Sequence, residues 1–204
     1  MKNRVRYYIL LLLASTSFFL FVHAPYAAAS LSSDLNQKGV ECLQEGRYSD
    51  AIVYFESAHK SSPQNKTIIH NLSAAYHSLA TQYASEKNWL EAIGNEELAF
   101  KYSPDNEDIK KQISVYYNNY ALYYLDNEKY DMADDNFKKA LEYFPDEETV
   151  KINRYNAMLK YAEACLADKN EYKAVTLAKD AISSLPERAD GYIVLGDIYY
   201  QQDN

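Results

Sequence analysis

Residues 51–63, 92–104, 133–145 and 174–186 read AIVYFESAHKSSP, AIGNEELAFKYSP, ADDNFKKALEYFP and AVTLAKDAISSLP. Each segment starts 41 residues after the one before it. Ala51, Ala92, Ala133 and Ala174 open them, and Pro63, Pro104, Pro145 and Pro186 close them. A period of this length commits the chain to a repeat architecture, in which one unit cannot bury its apolar face alone and neighbours must cover it.

Each unit holds two apolar stripes of helical period. In 73–106, Tyr76, Leu79 and Tyr83 make the first. The polar run SEKN follows, then Trp89, Ala92, Ile93, Ala99 and Phe100 make the second. Pro104 and the Asp-Asn after it are stop and turn signals. The unit is therefore helix–turn–helix.

These residues resemble the tetratricopeptide repeat, a 34-residue helical hairpin. Its pattern asks for a small residue where the two helices cross, filled here by Gly39, Ala80, Ala121 and Ala162. Three places on it asks for an aromatic, and the chain has Cys42, Tyr83, Tyr124 and Cys165. Two small residues on the second helix are supplied by Ala51 and Ala58, Ala92 and Ala99, Ala133 and Ala140, Ala174 and Ala181. The bulky residue between them is Phe55, Glu96, Phe137 and Ala178, so Glu96 departs from the pattern. The turn aromatic Tyr172 stands one place late. The resemblance implies an all-α fold, a right-handed α-solenoid of stacked hairpins. Its units are 32–65, 66–106, 107–147 and 148–188, with 189–204 as the first helix of an incomplete fifth. Tyr192, Leu195, Gly196 and Tyr199 are expected at that helix's packing places, with Gly196 at the crossing.

The 41-residue spacing exceeds 34 by seven. The extra segments are KTIIHNL (66–72), EDIKKQI (107–113) and ETVKINR (148–154). None contains Gly or Pro. Seven residues are almost two helical turns, so the apolar face drifts by only about 20°. Each first helix is expected to extend to about 20 residues, roughly 30 Å. Asn65, Asp105 and Asp146 stand just before these runs, as N-cap candidates.

The N-terminus lies outside the repeat. Lys2, Arg4 and Arg6 precede an apolar run over 7–22; Pro25 and Ala27-Ala28-Ala29 follow. That is the layout of a secretory signal peptide over 1–29. Its rival is an uncleaved anchor, although the run is shorter than the roughly 20 residues a spanning helix needs. Cleavage would remove three positive charges and take the formal net charge from −8 to −11. An acidic chain argues against nucleic acid and against anionic membrane surfaces. The expected location is periplasmic or secreted, with membrane tethering only if the segment is retained.

Catalytic signatures are missing from the sequence. No GxSxG, CxxC, HExxH or phosphate-cradling Gly loop occurs. His70 and His77 are seven apart and lack a third ligand. Cys42 and Cys165 hold one inward place three repeats apart, too far for a disulfide, and read as small buried side chains. Neither a metal nor a cofactor is expected. Of 21 tyrosines, three precede residue 30, which leaves 18 in the repeats. Tyr117, Tyr120 and Tyr124 fall on packing places, whereas Tyr116 and Tyr123 fall outside them and are the better candidates for partner contacts.

In the resembled family the first helices line a concave binding wall. The corresponding places here are Asn36, Gln37 and Gln44; His77, Ser78, Thr81 and Ser85; Asn118, Asn119, Leu122 and Asp126; Asn156, Lys160 and Glu163; Asp190, Asp197 and Gln201. Amide side chains both donate and accept, which suits an extended peptide backbone. The basic grip by which some relatives hold a terminal carboxylate is absent, with Asn36, Val40, Val115 and Asn119 in its places. The resemblance implies a non-catalytic scaffold that binds a protein or peptide. A second reading makes the array the N-terminal part of a larger exported enzyme, such as a peptidase, or of an envelope assembly factor. Tyr192, Leu195, Ile198 and Tyr199 of 189–204 are expected to be left partly uncovered by the repeats before them and to be covered from outside, by a continuing array or by self-association.

Overall fold

The structure is a computed structural model that describes residues 30–202. The described residues form helices and turns with no strand. Helix α1 covers residues 30–44. The others are α2 (Tyr48–Ser61), α3 (Lys66–Ser85), α4 (Trp89–Tyr102), α5 (Glu107–Asp126), α6 (Tyr130–Tyr143), α7 (Glu148–Ala167), α8 (Glu171–Ser184) and α9 (Ala189–Gln202). The even-numbered helices have 14 residues each, and α3, α5 and α7 have 20. The seven-residue runs thus lie inside the helices. The signal segment expected over 1–29 falls outside the described residues.

The turn inside each hairpin is built the same way four times. Gly46, Lys87, Glu128 and Lys169 adopt φ of 74°, 59°, 58° and 61°. The amide of the following residue then reaches back to a carbonyl five residues earlier. Arg47 N–H donates to Cys42, Asn88 to Tyr83, Lys129 to Tyr124 and Asn170 to Cys165, at 2.8–2.9 Å. This left-handed closure satisfies carbonyls that the helix end leaves open. Only Gly46 takes the conformation without a Cβ penalty.

Caps before the long helices sit one residue later than Asp105 and Asp146. Asn65 Oδ1 accepts from Thr67 and Ile68 amides, and Asn106 Oδ1 accepts from Asp108 and Ile109 amides. Before α7 the cap is Glu147, whose side chain makes no capping bond. The cap obeys the 41-residue period, whereas Asp105 and Asp146 belong to the turn before it.

The described residues divide into two compact units, the first running up to Leu79 and including Lys101–Ser103, the second comprising Ala80–Phe100 and the described residues from Pro104 onward. In the first, Ala51, Phe55 and Ala58 of α2 are fully buried. A Cβ on Gly39 would stand 2.5 Å from the Phe55 ring, so glycine is what lets α1 cross α2 here. In the second unit, α5 packs on α6 and α7 on α8, while α6 packs on α7 and α8 on α9. The odd-numbered helices also touch directly, α5 with α7 and α7 with α9. That order of neighbours is the stacking of an α-solenoid. Ala121 and Ala162 are fully buried, as are Phe137 and Ala178, and Ala162 packs in one cluster with Ala174 and Ala178. Glu96 occupies the bulky place of α4 and is also fully buried. Cys42 and Cys165 are both buried and free.

Two expectations change. Tyr116 is not a surface residue: it is 3% exposed, and in the same unit Ala157 and Ile198, at the same place of the 41-residue period, form a buried row with it. That row exists because the long helices also touch each other, a contact the hairpin pattern alone does not encode. Helix α9 keeps the 41-residue register rather than the 34-residue one. Ile198 is fully buried against Ala162, Cys165, Ala174 and Ala178. Gly191, which falls where Ile68, Ile109 and Val150 are buried, lies 2.8 Å from Ile182 by its would-be Cβ, whereas Gly196 faces open space. The two registers differ by almost two turns, so they share nearly one face and the pattern alone does not separate them.

Candidate functional site

The long-helix faces carry the residues singled out above. Some of them turn inward to join helices to one another. In the first unit Asn71 Nδ2 donates to Asn36 Oδ1 at 2.9 Å. In the second, Asn153 Nδ2 donates to Asn118 Oδ1 at 3.0 Å, and Asn118 Nδ2 reaches Asn119 Oδ1 at 3.4 Å. Asn118 is only 8% exposed. These amides are rungs between successive first helices: one side chain both donates and accepts, so the buried Asn118 is satisfied. Their partners Asn71 and Asn153 lie in the seven-residue extensions, outside the hairpin pattern, which is why the pattern misses them. The signal is there nonetheless, since Asn71, Gln112 and Asn153 recur every 41 residues.

Other residues stay on the surface. Gln37 is exposed and bonds Glu41 within its own helix, while Ser78 Oγ donates back to the Ala74 carbonyl. His77 is half-buried. In the second unit Thr81 Oγ1 lies 3.5 Å from the Tyr116 hydroxyl. Asn156, Lys160 and Glu163 of α7 are exposed, as are Asp190 and Asp197 of α9. Asp190 pairs with Arg188 at 2.8 Å. Glu163 and Asp197 converge with Gln201 on a cavity of about 310 Å³, whose floor is Leu166, Val194 and Ile198. This places two carboxylates over an apolar floor, a chemistry suited to a cationic group with an aliphatic stem.

A second recurring cluster joins long to short helices. Tyr76 Oη donates to Glu56 at 2.6 Å, and Tyr76 stacks on Tyr102. The equivalents 41 residues on are Tyr117, Tyr143 and Glu97: both hydroxyls donate to Glu97 Oε1 at 2.9 Å, and the rings stack. Burial, then the carboxylate, pushes the Tyr143 phenol up to about 12 and raises Tyr117 as well. Asp134 is held below its ordinary value: burial pushes it up, but bonds from Lys138 and Arg154 outweigh that. These bonds tie the long helices to the short ones.

Among the described residues no cluster of three or more His, Cys, Asp or Glu could hold a metal ion. No described helix is long and apolar enough to cross a membrane.

Comparison with known proteins gives folds alone. No protein-family model matches the chain, and no curated protein does. Among solved structures, a TPR repeats protein from Bacteroides fragilis is 17% identical over 83% of this chain and 98% of its own, at a TM-score of 0.40. A thermophilic TPR protein in Thermus thermophilus is 16% identical over 83% and 99%, at 0.30. Pseudomonas aeruginosa pilF is 15% identical over 87% and 71%, at 0.31. What the site does is read from its own residues.

Proposed function

We propose that this chain is a non-catalytic scaffold that binds an extended segment of another protein along its long helices, in an extracytoplasmic compartment. The observation that carries the reading is the division of labour on α7 and α9. Their inward amide and apolar residues are used up in packing, while Asn156, Lys160, Glu163 and Asp197 remain exposed in a row beside the cavity of Glu163, Asp197 and Gln201. A surface that presents donors and acceptors on rigid helices is preorganised to bind a peptide backbone. The basic n-region, apolar run and small-residue site of 1–29 support export. Self-association through α9 belongs to the same proposal, supported by its four exposed apolar side chains, Tyr192, Ile193, Tyr199 and Tyr200.

The test is photo-crosslinking in the producing cell. A photoreactive residue at position 160 or 197 is expected to give a discrete adduct with another protein. The same residue at Asp135, on the exposed face of α6, is expected to give none. Equal adducts from all three positions would remove the long-helix surface from consideration. N-terminal sequencing of the exported protein, expected to begin at Ser30, tests the compartment.

A further inference from the structure

The repeat supplies its own comparison for one cleft. At the end of α5, Tyr120, Tyr123 and Tyr124 close on one another. Tyr120 and Tyr124 rings lie 4.5 Å apart, Tyr120 and Tyr123 6.2 Å, Tyr123 and Tyr124 5.8 Å. The Tyr120 and Tyr124 hydroxyls share a hydrogen bond of 2.6 Å. One period later the same three places hold Tyr161, Ala164 and Cys165. Tyr161 is kept and stacks on Tyr130 at 4.7 Å. The other two rings are gone. Where they would stand, the structure has a cleft of about 750 Å³ lined by Tyr130, Tyr161, Ala164, Cys165 and Met132.

The rim is charged and mainly acidic. Glu128, Asp131 and Asp168 line it with Lys129. Asp131 is already engaged, accepting from Tyr161 Oη at 2.9 Å and from Lys173 Nζ. Lys173 Nζ also bonds the Tyr161 hydroxyl and stands 4.3 Å from that ring's centroid. Tyr161 is thus fixed from three sides, by Tyr130, Asp131 and Lys173. A fixed aromatic wall beside an aromatic-sized gap, with free carboxylates at Glu128 and Asp168 above it, is a built receptor.

We infer that this cleft receives an aromatic side chain of a partner polypeptide, flanked by basic residues, which takes the place that Tyr123 and Tyr124 fill one repeat earlier. The ring would lie against Tyr130 and Tyr161, and its basic neighbours would face Glu128 and Asp168. This is a second contact, apart from the long-helix row, and it does not depend on that row being a binding surface.

The experiment titrates isotope-labelled protein with acetyl-Arg-Tyr-Arg-amide and with acetyl-Arg-Ala-Arg-amide. The tyrosine peptide is expected to shift the resonances of Ala164, Cys165 and Tyr161 saturably, with affinity on the order of millimolar, the scale of one buried ring. The alanine peptide is expected to bind at least about tenfold more weakly. Refilling the cleft with the chain's own solution, Ala164→Tyr with Cys165→Tyr, is expected to abolish the shifts. Should the double variant fail to fold, Ala164→Tyr alone is read instead, with a loss of at least about fivefold expected. Equal binding of both peptides, absence of saturable shifts in the unaltered protein, or unchanged binding after refilling would each overturn the inference. Crosslinks from positions 160 and 197 remain in every one of those cases if the long-helix reading is right, so the two proposals fail separately.

Discussion

At the scale of single residues, position within the period decides what a side chain does. Asn118 and Asn119 look alike in sequence, adjacent amides on a helix. The structure buries one as a rung to Asn153 and leaves the other half-exposed. Asn118→Ala should therefore lower stability by about 1–2 kcal/mol, because the Asn153 amide loses its acceptor inside the stack. Asn119→Ala should stay within about 0.5 kcal/mol. Urea unfolding of both single variants checks this, and equal midpoints would contradict the rung. The crossing residues are stricter. Ala121→Leu adds three heavy atoms to a site with no exposure and should cost roughly 1–3 kcal/mol by overpacking. An unchanged melting midpoint would show that 121 is not at a crossing. The tyrosine–carboxylate cluster carries a pH signature. Burial first, and then the bonds that both hydroxyls donate to Glu97, hold Tyr117 and Tyr143 protonated above the ordinary value of 10.0. Their contribution is fully present below about pH 10 and is lost as pH rises through the folded values, about 12 for Tyr143. Glu97→Gln should make the alkaline loss of stability between pH 10 and 12 shallower, and spectrophotometric titration of the phenols should move down with it.

At the scale of helices and turns, most of what the structure shows was legible. The 41-residue spacing and the Gly- and Pro-free extensions predict first helices of about 20 residues, and α3, α5 and α7 have that length. Three things were not legible, each for a physical reason. The caps before α5 and α7 shifted by one residue, while Asn65 caps α3 as expected, because a turn and a cap both favour Asn and Asp. Tyr116 read as surface because its burial comes from contacts between successive long helices. The asparagine partners hid in the extension. The hairpin turns hold a test of their own. Glu128 sits at φ 58°, a conformation that costs an L-residue roughly 1–2 kcal/mol and costs glycine little, against about 0.5–1 kcal/mol of extra chain entropy for glycine. Glu128→Gly should stabilise by about 0.5–1 kcal/mol, an amount resolvable by chemical denaturation. The reverse change, Gly46→Ala, should destabilise by a similar amount. A destabilised Glu128→Gly variant would mean that the glutamate side chain contributes something that the turn geometry does not reveal.

For the whole molecule, periodicity itself exposes an imbalance. Each long helix buries a stripe that the following elements cover. Ser73 and Tyr76, Ser114 and Tyr117, Tyr155 and Met158 are all buried at the same two places of α3, α5 and α7. In α9 those places are Gly196 and Tyr199, and both are exposed, Tyr199 by 43%. Tyr192 and Tyr199 are seven residues apart, as are Ile193 and Tyr200, so the four side chains form a continuous stripe of about two turns. An exposed apolar stripe of this kind marks an interaction surface. If a second copy covers it, as proposed above, the association is isologous, stripe against stripe, because one helix face meeting its symmetry mate closes the assembly at two. Light scattering of the purified chain should then report a mass that rises from about 20 to about 40 kDa as concentration increases through the micromolar range, the scale of a modest interface. Ile193→Lys with Tyr199→Lys should hold the protein at the monomer mass. Its helical circular dichroism should be unchanged, because neither side chain supports the Ile198 contact that seats α9 on α7 and α8. A chain that stays monomeric at every concentration, or a lysine variant that still doubles in mass, would place the self-association elsewhere or remove it.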